Sequence, residues 1–304
     1  MPADSRFRAA AVQVCGGGHL DRHLWLQSEP IAGRTNPARQ TVSTGGVAAN
    51  IACHLAAFGA TVKFIGVHPP EEAPAMAARL HDRGVAADIR PLAGEVPGYS
   101  AVMRADGELL IGAAALSLYE QVTEEMVTAR LDPKTALVID ANFPEPVILA
   151  VVEAACTSRR QFAAGTSVAK VGRLRAALSS LHALVLNRAE AASLVKAGGA
   201  PVDYLARELA GHLGDGGVAL VSDGGAQAAL AGQQDADREH VVVMAPPQVA
   251  VVNANGAGDA MAASLFWGLM NAPGLPLDAR LRTALAAGAA FASGAPLPDP
   301  VESL

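Results

Sequence analysis

Short apolar runs alternate with helix-period segments along most of this chain. AAAVQVC (9–15), TVKFIGV (61–67), TALVID (135–140), HALVLN (182–187) and VALVSD (218–223) are near-continuous apolar stretches, the pattern of strands buried on both faces. Between them lie segments of 3.6-residue period. In VAANIACHLAAF, Val47, Ile51, Leu55 and Phe58 share one helix face and Gly59 supplies the stop. Strand and helix in repetition predict an α/β fold with a doubly wound, mostly parallel sheet flanked by helices.

Two stretches break the rhythm. Residues 22–43 and 97–116 carry no helical period, and the second reads as a hairpin, SAVMR-ADG-ELLIG, turning at Asp106-Gly107. With no internal repeat or low-complexity linker, residues 1–304 are expected to form one domain, the two insertions making a small β-sheet lid over its site. Asp140, Asn187 and Ser222 fall at the carboxyl ends of predicted strands, where open α/β sheets bind ligands, although polar residues end strands of any kind.

Composition narrows the class. Net charge is −6 without a Lys/Arg block, which argues against nucleic acid as a partner. The three cysteines, Cys15, Cys53 and Cys156, form no CxxC and no even framework, as expected of a reduced, cytoplasmic protein. MPADSRFR lacks the apolar core of a signal peptide, and ALAAGAAFASGA (284–295) is too short to cross a bilayer, so no membrane association is expected.

The chemistry concentrates in VVNANGAGDAMAASLFWGLM (251–270). Gly256 and Gly258 permit positive φ and leave no side chain in the way, so successive amides can converge as an anion hole at a helix N-terminus. Asp259 there could be a plain N-cap. Beside an anion hole the same carboxylate could instead take a proton from a substrate hydroxyl while the hole holds charge on a transferring phosphoryl group.

This stretch resembles the C-terminal signature of the ribokinase-like, PfkB-type carbohydrate kinases, a D-T-x-G-A-G-D followed by a small-residue helix. STGGVAANIACHLAAFGATVKFIG (43–66) is similar to the family's other signature, a glycine pair with Asn four residues on. The resemblance runs from about residue 11 to 295. It implies Asp259 as catalytic base, with the amides of Gly256, Ala257 and Gly258 as anion hole. It further implies Asp21, Gly45, Gly46 and Asn50 as sugar-binding residues. Asn187 and Glu190, in LNRAEA, match an N-x-x-E that organises Mg²⁺ through water; alone, Glu190 would be a first-turn acid favoured by the helix dipole. Ser222, Gly224 and Gly225, with Asn255, are implied at the ATP site, and the 284–290 helix beside its adenine. A monovalent cation such as K⁺ beside the anion hole is a further implication.

Within the family, local agreements are similar to the pseudouridine kinases: GG-x-x-x-D-R, T-N-P (35–37), DGEL with Tyr119-Glu120, IDAN (139–142) and SVAK (167–170). They imply the ribosyl 5′-hydroxyl of pseudouridine or a related nucleoside as acceptor. His19, Ala49, Ala115-Leu116 and Ala164 depart from that group, and Asn253 replaces an acid usual in the wider family near the cation site. Ribose, adenosine, inosine and fructose types therefore remain alternatives, as does a non-catalytic sugar- or nucleoside-binding sensor. GxGxxG, GxxxxGK[ST] and clustered histidines are absent, which sets aside a dinucleotide dehydrogenase, a P-loop enzyme and a zinc site. Trp267 reads as packing, and Trp25 as packing or a cover for a base. Lid strands with open edges commonly pair between subunits, so a homodimer through the lid is expected.

Overall fold

The alternation of buried strands and amphipathic helices is realised in a computed structural model that describes residues 10–106, 108–155, 160–235 and 238–300. In chain order its strands are β1 (Ala11–Cys15), β2 (His19–Leu26), β3 (Ala38–Gly45), β4 (Thr61–His68), β5 (Val85–Pro91), β6 (Gly98–Met103), β7 (Leu109–Ala115), β8 (Ala136–Asp140), β9 (Gln161–Ala164), β10 (Ala183–Asn187), β11 (Val218–Asp223), β12 (Gln227–Asp235) and β13 (Arg238–Met244). The helices are α1 (Val47–Ala57), α2 (Ala73–His81), α3 (Glu124–Thr128), α4 (Glu145–Ala154), α5 (Arg188–Val195), α6 (Val202–His212), α7 (Ala257–Asn271) and α8 (Leu277–Ser293).

A nine-stranded sheet runs β13-β12-β11-β10-β9-β8-β1-β4-β5, parallel from β11 to β5 and antiparallel at β12 and β13. The apolar runs are near-continuous because both faces are covered. In β8, Leu137 and Ile139 join the core packed by α4, α5 and α6, while Ala136 and Val138 join the opposite core packed by α1, α2, α7 and α8. Each fully buried side chain of this kind contributes about 1.5–3 kcal/mol. β9 escapes a periodicity reading because QFAA is only four residues long; all four are buried.

Small residues in α8 serve packing. Gly288 lies against α7 so closely that a Cβ there would come 2.6 Å from Met261 Cγ. Ala284 and Ala287, implied beside a nucleotide base, are fully buried, so the middle of α8 is a core element. No described helix is long and apolar enough to cross a membrane.

The stretches without helical period form a second, four-stranded sheet, β3-β2-β6-β7. It begins earlier than the first insertion, at His19, and runs on to Gly45. β6 and β7 pair antiparallel as the hairpin reading expects, whereas Gly107 of the proposed turn lies outside the described residues, as does Cys156. Trp267 is buried in the core as expected of packing, and Trp25, on β2, donates from Nε1 to Thr41 Oγ1 at 3.1 Å.

Candidate active site

The carboxyl ends of β1, β8, β10 and β11 open toward the N-termini of α1 and α7. Gly46 caps α1 with φ +93°, and a Cβ there would come 2.5 Å from the Gly17 carbonyl, so the glycine is required twice over. At Gly45 a Cβ would run into the Asp21 carboxylate. The glycine pair thus lets the chain fold over Asp21. His19 Nδ1 lies 2.9 Å from Asp21 Oδ1, both residues nearly buried, so the departure at position 19 sits directly against Asp21.

Asp140 has a different role from the ligand-facing one its strand-end position implied. It is fully buried and accepts from the Gly17 amide (3.1 Å), the Ala48 amide (3.1 Å), and the Asn142 amide (2.9 Å) and Nδ2 (2.8 Å). Burial pushes its carboxyl pKa up, and these donors hold it back. One carboxylate therefore fixes the turn after β1 and the first turn of α1. Tyr119 completes the anchor, its hydroxyl donating to the Gly18 carbonyl at 2.7 Å and accepting from the Gly18 amide at 3.0 Å.

A cleft of about 420 Å³ lies between this framework and the smaller sheet. Asp21, Gly46, Asn50, Asn255 and Asp259 line it, and Tyr99, Ala114 and Leu116 reach it from the smaller sheet. Ala114, near the end of β7, and Leu116, just after it, line the cleft, whereas Ala115 between them does not. Ala49 is fully buried in α1 rather than exposed to the cleft.

Asn50 Nδ2 donates to Asp259 Oδ2 at 2.7 Å. Asp259 is not the N-cap of α7: the cap is Gly256, at φ +100°, and Asp259 is the third helical residue. Burial raises its pKa to about 7, against the Asn50 hydrogen bond and with help from the charges of Asp140, Asp21 and Glu190. A carboxylate poised near neutrality suits a general base. Of the three amides expected in the anion hole, that of Ala257 donates to Ala254 at 3.2 Å. Among the described residues the amides of Gly256, Gly258 and Asp259 carry no acceptor, so these three are the ones open to an anion.

A second cleft of about 190 Å³ adjoins the first, sharing Val47, Thr166, Asn255 and Asp259. Asn187, Glu190, Ser222, Gly256 and Gly258 line it. Asn187 and Glu190 form a reciprocal capping box on α5, Asn187 Oδ1 accepting from the Glu190 amide at 2.9 Å and Glu190 Oε2 from the Asn187 amide at 3.1 Å. Burial pushes the Glu190 pKa up and the Asn187 bonds lower it. No group of three or more metal-binding side chains occurs among the described residues; Glu190 and Asp259 are the two carboxylates lining this cleft. Gly224, at φ +54°, and Gly225 form the turn after β11 with open space around them, outside both clefts.

Asn142, Thr166, Ser167 and Lys170 also line the larger cleft and were not singled out as site residues from the sequence. Lys170 Nζ donates to Asn142 Oδ1 at 3.1 Å, and burial lowers its pKa. Thr166 Oγ1 is buried without a hydrogen-bond partner among the described residues. IDAN and SVAK held the signal, as agreement with one group of kinases; without the fold nothing placed them on a common wall.

Chains of the same architecture are known. A carbohydrate kinase from Agrobacterium tumefaciens is 26% identical, with TM-score 0.76 over 97% of this chain and 96% of that one. A ribokinase from Arabidopsis thaliana, complexed with ribose and ATP, is 18% identical with TM-score 0.71, covering 94% of this chain and 93% of its own. A mutant of phosphofructokinase-2 from Escherichia coli is 20% identical with TM-score 0.75, covering 98% and 97%. No curated protein matches the sequence. Residues 18–295 match the pfkB family carbohydrate kinases, taking in both signatures and both clefts, and the chain belongs to that family of phosphotransferases with an alcohol acceptor.

Proposed function

We propose that the protein transfers the γ-phosphoryl group of ATP to the ribosyl 5′-hydroxyl of a nucleoside, pseudouridine or a close relative. The observation that carries the nucleoside reading is the extension of the larger cleft beyond Asp21 and Asn50 to Asn142, Thr166, Ser167 and Lys170. With its own hydroxyls engaged at Asp21 and Asn50, a free pentose would leave that wall unanswered, whereas the carbonyl and imide edges of a base would meet it.

In this reading Asp21 and the Gly45-Gly46 backbone hold the ribose, and Asn50 keeps the Asp259 carboxylate aimed at the reacting oxygen. Asp259 accepts the hydroxyl proton. The amides of Gly256, Gly258 and Asp259 stabilise charge on the transferring group, so positioning and electrostatics supply most of the rate. Ser222, Asn187 and the Gly224-Gly225 turn border the nucleotide. Few carboxylates, Glu190 and Asp259, line the smaller cleft, which fits Mg²⁺, an ion that keeps most of its waters. Glu190 would reach it through one of them, and the ion would supply charge neutralisation.

Asn253 Oδ1 accepts from the Asn255 amide at 3.0 Å, tying its side chain to the catalytic loop and weakening the case for a K⁺ ligand at that position. The smaller sheet serves as lid. Every residue of β7 is exposed, and Leu109, Leu110 and Ile111 are 51%, 40% and 61% accessible, an apolar edge suited to a homodimer through the lid. Buried, unpaired Cys15 and Cys53 suit a cytoplasmic enzyme.

The test is ADP release from MgATP with pseudouridine, uridine, adenosine, inosine, ribose and fructose. Turnover of a nucleoside in preference to ribose supports the reading. Preference for ribose or fructose moves the acceptor, and binding without turnover makes the protein a sensor.

A further inference from the structure

Behind the substrate cleft a separate groove of about 240 Å³ lies between the smaller sheet and α2. Side chains on β2 alternate, so Asp21 lines the cleft while its neighbours Leu20 and Arg22 line this groove. Arg79 and Glu72 come from α2 and its N-cap, His68 from the end of β4, and Val96-Pro97 from the segment leading into β6. The groove therefore spans the junction at which the smaller sheet meets the body.

Its charges are unbalanced. Arg22 and Arg79 are exposed and have no acidic partner among the described residues, and Glu72 offsets one of them. His68 is 3% exposed, and the Gly18 carbonyl is the one hydrogen-bonding neighbour of its ring among the described residues, which leaves a ring nitrogen unanswered. The Gly18 carbonyl and Glu72 favour its protonation, but burial outweighs them and lowers its pKa. A buried polar group left in this condition is costly unless a ligand completes it.

We propose that this groove binds a small dianion, held between Arg22 of the smaller sheet and Arg79 of the body with His68 at its floor, and that occupancy fixes the smaller sheet over the substrate cleft. Guanidinium forks match carboxylate and phosphate oxygens in pairs. The volume restricts the ligand to a small metabolite. An anion that needs both arginines binds only when sheet and body are docked, so it shifts the population toward that arrangement. A phosphate ester and a dicarboxylate offer the same chemistry.

Calorimetric titration of the full chain with inorganic phosphate and, separately, malonate tests this. Hydrogen exchange of residues 98–103 is followed alongside. At least one anion should bind and slow that exchange, and the double variant Arg22→Ala/Arg79→Ala should weaken binding by about tenfold or more. Phosphate alone points to a phosphate ester, and malonate alone to a dicarboxylate. Gly258→Asp, which sets a carboxylate at the α7 N-terminus, should leave the affinity unchanged. Both arginines are exposed, and an unchanged melting temperature verifies that the double variant folds. Absence of binding by either anion overturns the proposal. So does binding that survives the arginine replacements, or binding that Gly258→Asp abolishes instead.

Discussion

Asn50 and Asp259 stand 209 residues apart in the chain, yet Asn50 Nδ2 donates to Asp259 Oδ2 at 2.7 Å where the two clefts join. The contact joins the first turn of α1 to the first turn of α7, and so couples the family's two signatures physically. It also tunes the Asp259 carboxylate, because burial opposes its ionised form while the Asn50 hydrogen bond favours it.

A pH profile should register that tuning. With the Asp259 pKa at about 7, kcat/KM rises with pH through neutrality as the carboxylate forms. Asn50→Ala removes a bond that lowers the pKa, so the rising limb should move to higher pH. A limb that stays in place would show that another group is being titrated.

The same shift has a stability counterpart. The folded-state pKa lies above the unfolded value of 3.8, so the native state holds a proton the unfolded chain has released. That stabilisation is complete below the unfolded pKa and is lost as pH rises through about 7. Asp259→Asn, permanently neutral, should therefore raise the melting temperature more at pH 8 than at pH 5. Equal effects at both values would contradict the assigned pKa.

Asp140 should be less replaceable than its distance from the chemistry suggests. Asp140→Asn puts an amide donor among four donors, and loss of these bonds should cost about 2–4 kcal/mol in urea unfolding. A change below about 0.5 kcal/mol, typical of surface positions, would show that the carboxylate is not the anchor described.

Gly45→Ala should act on the substrate alone. The added Cβ meets the Asp21 carboxylate and must displace it, lowering kcat/KM for the acceptor by about 10–100-fold with little effect on melting temperature. Unaltered kinetics would remove Asp21 from sugar binding.

Lys170→Met separates the acceptor classes. If the Asn142–Lys170 wall faces a base, KM for the nucleoside rises about tenfold and that for ribose stays put. A parallel rise for both acceptors would place Lys170 at the sugar instead.

How much could be read without the fold differed from residue to residue. The strands β1, β4, β8, β10 and β11 were legible because burial on both faces leaves near-continuous apolar runs, and Gly256 because positive φ restricts the residue type, whereas Gly258 does not adopt positive φ and the positive φ of Gly46 was not anticipated. The capping-box role of Asn187 and Glu190 was legible only as an acid in a first turn, although both residues stood in view. Asp140 looked like a ligand-side residue since its four donors come from three separate segments. The wall of Asn142, Thr166, Ser167 and Lys170 depends on how the loops after β8 and β9 settle together, which no local pattern encodes.

The most direct measurement is acceptor-dependent ADP release by wild type and Asp259→Asn, with nucleotide affinity determined in parallel. If Asp259 is the base, the variant loses about 10²–10⁴-fold in kcat while ATP affinity holds. Turnover within a fewfold of wild type would contradict the assignment and leave Asp259 a structural partner of Asn50.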